Sequence, residues 1–257
     1  RERAPFYVVG ETTGDHRFVF EQTDGVKPID LAMEDMFGKA PRTVMTDRTV
    51  DETYEDVTYD QTQLDEYVER VLQLEAVACK DWLTNKVDRS VTGKIARQQC
   101  QGEIQLPLSD CGVVALDYRG RAGIATSIGH APQAALVDPA AGSVLSIAEA
   151  LTNIVWAPLS EGLDSVSLSA NWMWPCKNEG EDARLYRAVE ACSDFACSLG
   201  INIPTGKDSL SMTQKYGKDK VYSPGTVIIS AGAEVSDIRK VVSPVLRTGV
   251  DLSLIHI

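Results

Sequence analysis

The chain has 257 residues, of which 44% are apolar and 24% are charged, so it is long enough for one large domain or two smaller ones with real cores. This composition is ordinary for a globular protein and excludes collagen-like or disordered structure. The formal net charge of −12 argues against a general nucleic-acid binder, which would need a basic face. The sequence contains neither an apolar run of roughly 18 residues nor a signal-peptide pattern, and so predicts no membrane partner.

The six cysteines show no CxxC pair and have no histidine at zinc-ligand spacing. They are Cys79, Cys100, Cys111, Cys176, Cys192 and Cys197. Free and mostly buried thiols in a reducing cytoplasm explain them best, which predicts a cytoplasmic location. A cysteine nucleophile is the less favoured interpretation, because no histidine lies near any of them in the sequence.

The N-terminal part of the chain is predicted to be a hairpin followed by a closing segment. Apolar and aromatic residues cluster in 5–9 and 16–21, on either side of the turn at 13–15. Residues 27–42 contain two prolines and a glycine, which is typical of a segment that leads out of a domain. The chain opens on Arg1 rather than on a methionine, so we expect it to begin within a longer protein.

An acidic stretch follows, with eight acids and one arginine in residues 47–66. We interpret it as a solvated linker rather than an acidic docking tail. Apolar residues then recur at helical spacing and predict a helix from Leu64 to about Ala78. These residues are Leu64, Tyr67, Val68, Val71 and Leu72.

Strand and helix patterns alternate from about residue 110 onward, which indicates an α/β layer architecture. A hairpin is predicted over 113–116 and 122–128, and short strands over 166–168, 201–203 and 226–230. Amphipathic helices are predicted over 143–155 and 181–199, and Gly200 stands where a helix commonly ends.

The last six residues, 252–257, do not follow this pattern. Their sequence, Leu-Ser-Leu-Ile-His-Ile, is also what a common transposon sequencing adapter encodes in one frame. We therefore expect a non-native tail and exclude it from the fold.

Glu149 and Asn153 carry the clearest chemical signal in the residues themselves. They lie four apart on the polar side of the predicted 143–155 helix, so their side-chain oxygens are neighbours. Carboxylate and carboxamide oxygens suit Mg²⁺, but an ordinary solvent-exposed helix face has the same spacing. Asp110 comes just before a predicted strand, where it could equally be a turn or capping residue.

The segment Gly206-Lys207-Asp208-Ser209 invites comparison with a phosphate-binding P-loop, and the comparison fails. Gly200 is one residue too far upstream, and Asp208 stands where Ser or Thr is required. A glycine turn whose amides face an anion and a structural connection between helix and strand both remain open. Trp172 and Trp174 are predicted to be packing residues.

Six motifs occur in an order that resembles the phosphoribosylformylglycinamidine synthase family, in its large single-chain form. They are DRSVTG (88–93), LPLSDC (106–111), AEALTN (148–153), LSANW (168–172), GEDARLY (180–186) and GKDSLSM (206–212). The resemblance extends over roughly residues 1–248. It implies a partial aminoimidazole-ribonucleotide-synthetase-like fold, of α/β class with α+β character. Residues 1–45 would be the end of a first synthetase-like half, 46–93 a helical connector, and 94–251 the front of the second half.

The resemblance also implies an activity and partners. The family's enzyme is an ATP-dependent ligase of purine biosynthesis that converts formylglycinamide ribonucleotide and glutamine to the amidine, ADP, phosphate and glutamate. ATP activates the amide oxygen, and ammonia channelled from a glutaminase domain of the same enzyme displaces the phosphate. The implied cofactors are Mg²⁺ and ATP or ADP, and the remaining domains are implied partners.

Matched position by position, the resemblance implies that Asp110, Glu149 and Asn153 are magnesium ligands beside an adenine nucleotide, and that Ser109 is a backbone contact of that nucleotide. A further acidic ligand of the family lies downstream of Val250, so we expect a partial site. No catalytic residue is assigned. A noncatalytic, nucleotide-stabilised scaffold and another ATP-dependent enzyme of the same fold are the alternatives.

Overall fold

The computed structural model describes residues 4–39, 42–50, 53–86, 89, 91–246 and 248–249. The predicted tail at 252–257 and the first and third residues of the DRSVTG motif, Asp88 and Ser90, lie outside these ranges. Among the described residues, no helix is long and apolar enough to cross a membrane. The chain divides into two compact units, Arg1–Thr46 and Asp47–Ile257.

The first unit contains a two-stranded sheet that pairs differently from the prediction. β1 (Arg17–Phe20) is antiparallel to β2 (Ile29–Ala32), and α1 (Met33–Phe37) follows, whereas residues 5–9 form no strand. The reversal occurs at the Asp24-Gly25 turn, where Gly25 has φ 81° and its N–H donates to the Gln22 carbonyl. The predicted pairing of 5–9 with 16–21 is therefore wrong, and the predicted closing segment contains β2 and α1.

The acidic stretch is exposed at every described position from 47 to 66, as a solvated linker would be, but Asp47 within it binds a helix of the same unit. The Asp47 carboxylate accepts hydrogen bonds from the backbone N–H groups of Gly180, Asp182 and Ala183, at 3.2, 3.0 and 3.3 Å. These groups belong to the first turn of a long helix, so Asp47 caps it from a distant part of the chain. The helix α2 (Leu64–Leu72) begins as predicted but ends at Leu72 rather than near Ala78, and α3 (Asp81–Thr84) follows after turns.

A six-stranded sheet forms the centre of the second unit, in the order β3-β6-β7-β12-β8-β9. These strands are β3 (Ile95–Arg97), β6 (Cys111–Ala115), β7 (Gly123–His130), β8 (Ser167–Met173), β9 (Asn202–Ser209) and β12 (Thr226–Val235). Only the β8–β9 pair is parallel within this sheet. The predicted hairpin is confirmed as β6–β7. Two further pairs are β4 (Cys100–Gln101) with β5 (Leu106–Pro107), and β10 (Thr213–Tyr216) with β11 (Asp219–Tyr222).

Two long helices pack with this sheet, after the short α4 (Pro132–Val137). α6 (Glu181–Leu199) has the predicted bounds, and Gly200 follows it with φ 69°. α5 (Pro139–Ile154) begins four residues before the predicted start at 143. The helix begins earlier because the Asp138 side chain caps it, accepting a hydrogen bond from Ala140 N at 2.9 Å. Pro139, at the first helical position, is also compatible with a helix start.

The core lies between the sheet and α5. Along β7, buried and exposed residues alternate strictly, so Ala125, Ser127 and Gly129 are turned toward the helices. Ile147 and Ile154 of α5 belong to the same buried cluster as the inward residues of the strands. Trp174 is fully buried and Trp172 packs beside it, which confirms their structural role.

The six cysteines, all within the described residues, form no disulfide, and four of them are buried. Burial raises the pKa of Cys176 to about 12 and that of Cys192 to about 11. Both therefore remain protonated and weakly nucleophilic near neutral pH.

Gly129 permits an unusually close approach of β7 to α5. A Cβ atom at this position would lie inside van der Waals contact with the backbone of Ser146 and Ala150 and 3.0 Å from Glu149 Cβ. The absence of a side chain here therefore sets the separation of strand and helix.

Gly129→Ala should lower the free energy of unfolding by about 1–3 kcal/mol, because α5 must move off the sheet. Gly232→Ala is the matched control, since Gly232 lies in β12 of the same sheet and its added Cβ would meet nothing within 4 Å. Urea denaturation measures both. Equal stability of the two variants would show that β7 and α5 are not in close contact.

Candidate functional site

Three segments that are distant in sequence surround a cavity of about 850 Å³ at one end of the sheet. They are the residues that enter β6, the C-terminal end of α5, and the segment that follows β12. The lining residues are Leu108, Ser109, Asp110, Cys111, Asn153, Trp156 and residues 239–246. Ser109, Asp110 and Asn153 thus line the same cavity.

Strand register accounts for the meeting of Asp110 and Asn153. Cys111 pairs with Ser127 across β6 and β7, so Asp110 enters the sheet at the level of Ile128. Asn153 reaches the same level from α5, because its Nδ2 donates to the Ile128 carbonyl at 3.1 Å. With its nitrogen held in this way, Asn153 has its carboxamide oxygen available to a ligand.

The Asp110 carboxylate is exposed to this cavity. Within the part of the chain that the structure describes, no hydrogen bond or ion pair engages its side chain. Among these residues the Asp110 carboxylate makes no contact that stabilises the fold, so it is available to bind a cation.

Glu149 lies one helical turn before Asn153 and beside the cavity rather than in its wall. Its Oε2 accepts a hydrogen bond from the backbone N–H of His130 at 2.6 Å, and the His130 ring nitrogen Nδ1 lies 3.9 Å away. Glu149 therefore fastens α5 to the end of β7. A carboxylate accepts at two oxygens, so this bond leaves further acceptor capacity.

Ser109 is anchored by its own polar groups. Its N–H donates to the Gln99 carbonyl and its Oγ donates to the Cys111 carbonyl, both at 3.1 Å. A backbone contact from Ser109 to a ligand would thus have to use its carbonyl oxygen, which is an acceptor.

The predicted ligand set would need help from outside the protein to hold a metal ion. Among the described residues, no group of three or more His, Cys, Asp or Glu side chains could hold one. The predicted set has only two carboxylates and one amide, so water and phosphate oxygens would have to complete an octahedral shell. Mg²⁺ characteristically keeps such ligands, and the donor set fits it.

The wall formed by residues 239–246 is not predicted by any pattern in the sequence. Val242 N donates to the Trp156 carbonyl at 2.9 Å, and Arg97 Nη2 donates to the Val241 carbonyl at 2.9 Å. Arg239 donates to both carboxylate oxygens of Asp237, at 2.9 and 2.6 Å, and these bonds hold the pKa of Asp237 far below its usual value. The Asp-x-Arg spacing was the available signal, but such pairs also occur on ordinary surfaces.

Lys207 and Asp208 do not belong to this site. They lie within β9, where Lys207 pairs with Asn171 of β8, and Lys207 Nζ donates to Ser209 Oγ at 2.7 Å. The interpretation as an anion-facing glycine turn is therefore wrong. Gly206 is needed because a Cβ there would collide with the Ala170 carbonyl of the neighbouring strand.

The fold and the sequence both have known counterparts. The structure of PurLQS from Thermotoga maritima superposes with a TM-score of 0.56 at 13% identity, covering 87% of this chain and 32% of that one. T. maritima PurL complexed with ATP gives a TM-score of 0.52 at 14% identity, covering 90% and 33%. At such identities the likeness establishes the fold alone, a mixed α/β arrangement shared with PurL, and it confirms the predicted class.

The family model described as the FGAR-AT PurM_N-like domain matches residues 79–234, and the chain belongs to this family. Phosphoribosylformylglycinamidine synthase from Homo sapiens is 40% identical over 264 residues, covering 96% of this chain and 20% of that protein. The Drosophila melanogaster protein of the same name is 40% identical over 268 residues, covering 96% and 19%. The chain thus spans about a fifth of the length of these relatives.

Two substitutions of Glu149 separate its contact with β7 from its charge. Glu149→Ala should lower the free energy of unfolding by about 1 kcal/mol, because the hydrogen bond from His130 N is lost. Glu149→Gln should be as stable as the wild type, because the carboxamide oxygen still accepts that bond. Urea denaturation without added ligand measures both, and a Gln variant as unstable as the Ala variant would contradict this role.

Proposed function

We propose that this chain is part of a phosphoribosylformylglycinamidine synthase and contributes a magnesium–nucleotide half-site, meaning some but not all of the ligands of that complex. The observation that most directly supports this proposal is that Ser109, Asp110 and Asn153 line one cavity. Glu149 lies on α5, one helical turn before Asn153. Relatives at 40% identity bear the synthase name, and PurL of T. maritima is known in complex with ATP.

The overall charge of the chain favours a divalent cation in this proposal, even though Arg239 and Lys240 also line the cavity. At a formal charge of −12, the protein offers a polyphosphate no bulk attraction. Asp110, Glu149 and Asn153 would hold Mg²⁺ through oxygen atoms, and the bound ion would offset the negative charge of the phosphates. The Ser109 carbonyl would accept a hydrogen bond from a donor group of the nucleotide.

The complete enzyme would be a glutamine-dependent ligase. It would use ATP to phosphorylate the amide oxygen of formylglycinamide ribonucleotide, and ammonia from glutamine would then replace that oxygen. We assign none of these bond-making steps to a residue of this chain. Residues 1–45, 46–93 and 94–251 would be the end of one synthetase-like half, the connector and the front of the second half. The free thiols support a cytoplasmic location.

Mg-ADP should stabilise the 257-residue chain against unfolding. At 100 times the dissociation constant, a ligand of the folded state adds about 2.7 kcal/mol. Asp110→Asn and Glu149→Gln should reduce this gain, since both keep the side-chain shape but remove a negative charge. Thermal unfolding with Mg-ADP, and with ADP plus EDTA, measures the effect.

Glu161→Gln is the control for that experiment, because Glu161 is an exposed acid outside the cavity. It should respond to Mg-ADP as the wild type does. The proposal of a magnesium–nucleotide site would be wrong if the wild type gains nothing, or if it gains as much with EDTA as with Mg²⁺.

A noncatalytic scaffold stabilised by nucleotide is the second candidate function. It is favoured by the structural use of the same side chains, because Glu149 and Asn153 both fasten α5 to β7. A site of this kind would retain nucleotide for stability while the chemistry took place elsewhere in the enzyme.

A chimera separates the two candidates, with this chain replacing the aligned segment of the Drosophila synthase. If the half-site serves turnover, Glu149→Gln in the chimera should lower kcat by at least about tenfold, equivalent to about 1.4 kcal/mol of barrier. Steady-state formation of ADP measures it, with Glu161→Gln as the control. A variant that loses bound nucleotide and melts earlier, yet turns over normally, would favour the scaffold.

A further inference from the structure

Trp156 is a large aromatic side chain left half exposed in the wall of the cavity. Its exposed fraction is 54%, and the residues on either side, Val155 and Ala157, are 48% and 4% exposed. The indole is one of the side chains that line the cavity. An exposed aromatic in a concave site commonly marks a contact surface for a ligand.

The backbone that carries this indole is fixed from two sides. The Trp156 carbonyl accepts from Val242 N at 2.9 Å, and Ala157 N donates to the Ile154 carbonyl at 3.1 Å. The residue before Val242 is itself attached to β3, because Arg97 Nη2 donates to the Val241 carbonyl. A side chain presented from a fixed backbone loses little further freedom when a ligand binds.

The chemistry of the cavity is divided between polar and apolar groups. Ser109, Asp110 and Asn153 supply oxygen atoms, and Asn153 is three residues before Trp156. Arg239 and Lys240 add two cationic residues to the wall. The apolar lining includes Leu108, Val242, Pro244, Val245 and Leu246. A cavity of about 850 Å³ lies within the usual range for small-molecule sites. A ligand that suits both parts has a charged, metal-binding portion and a flat apolar portion.

We infer that Trp156 is a specificity-determining residue whose indole stacks on the base of the nucleotide bound in this cavity. This inference rests on the proposed function, since it takes the phosphates to be held through Mg²⁺ at Asp110 and Asn153. Stacking on an aromatic ring requires only a flat π face, and a two-ring purine offers more of it than a pyrimidine does. Trp156 thus favours purine over pyrimidine nucleotides.

Calorimetric titration of the 257-residue chain with Mg-ADP, Mg-UDP and Mg-pyrophosphate tests the inference. Trp156→Ala should bind Mg-ADP about tenfold more weakly and show a smaller preference for ADP over UDP. Its affinity for Mg-pyrophosphate should be unchanged, because that ligand has no base. Trp156→Phe should recover most of the affinity for Mg-ADP, since a smaller aromatic face remains.

Trp82→Ala is the matched control, because Trp82 is 69% exposed and lies in α3 outside the cavity. It should bind all three ligands as the wild type does. If Trp156→Ala binds Mg-ADP like the wild type, or weakens Mg-ADP and Mg-pyrophosphate equally, the stacking role is wrong while the nucleotide site stands. If the wild type binds no Mg-ADP, the proposed function itself fails, and the inference fails with it.

Discussion

The attachment of α5 to β7 is the constraint on which the rest of the site depends. The backbone of α5 approaches Gly129 too closely for any side chain there, and four polar contacts follow along the interface. Ser127 Oγ donates to the Ala150 carbonyl, Ala131 N to Ser146 Oγ, His130 N to Glu149 and Asn153 to the Ile128 carbonyl. These contacts fix the rotation and the height of the helix. The C-terminal end of α5, with Asn153, consequently meets the residues that enter β6.

In the acidic connector, backbone N–H groups bind the carboxylate of Asp47. Asp47 receives N–H groups from its own neighbour Arg48 and from the start of α6, and these bonds hold the pKa of Asp47 below its usual value. Gly180 stands at the junction with φ 81°, where Val50 packs against it. A helix N-terminus that attracts anions is thus occupied by a carboxylate of the same chain. Part of the high negative charge is stabilised locally in this way.

Local patterns predicted the elements whose determinants are themselves local. Gly200 ends α6 at its C-terminus. The β6–β7 hairpin follows from the alternation of apolar and polar residues on either side of a short turn. The pairing of β1 was mispredicted because two turn signals competed, and the Asp24-Gly25 turn formed the hairpin. Asp47 caps a helix that begins more than 130 residues further along the chain. The wall at 239–246 is held by Trp156, more than 80 residues before it. No local sequence pattern contains contacts over such separations.

Glu149 illustrates why spacing alone left the metal interpretation and the exposed-face interpretation open. In the structure it is engaged with β7 through one oxygen, so it is neither a free surface acid nor a dedicated ligand. The same hydrogen bond that fastens the helix also fixes the direction of the carboxylate. A side chain oriented by a structural bond has less rotational freedom to lose when an ion binds. The proposed site would have only three protein ligands and would benefit from this. The structural and the proposed binding roles of Glu149 are therefore compatible, and the first would strengthen the second.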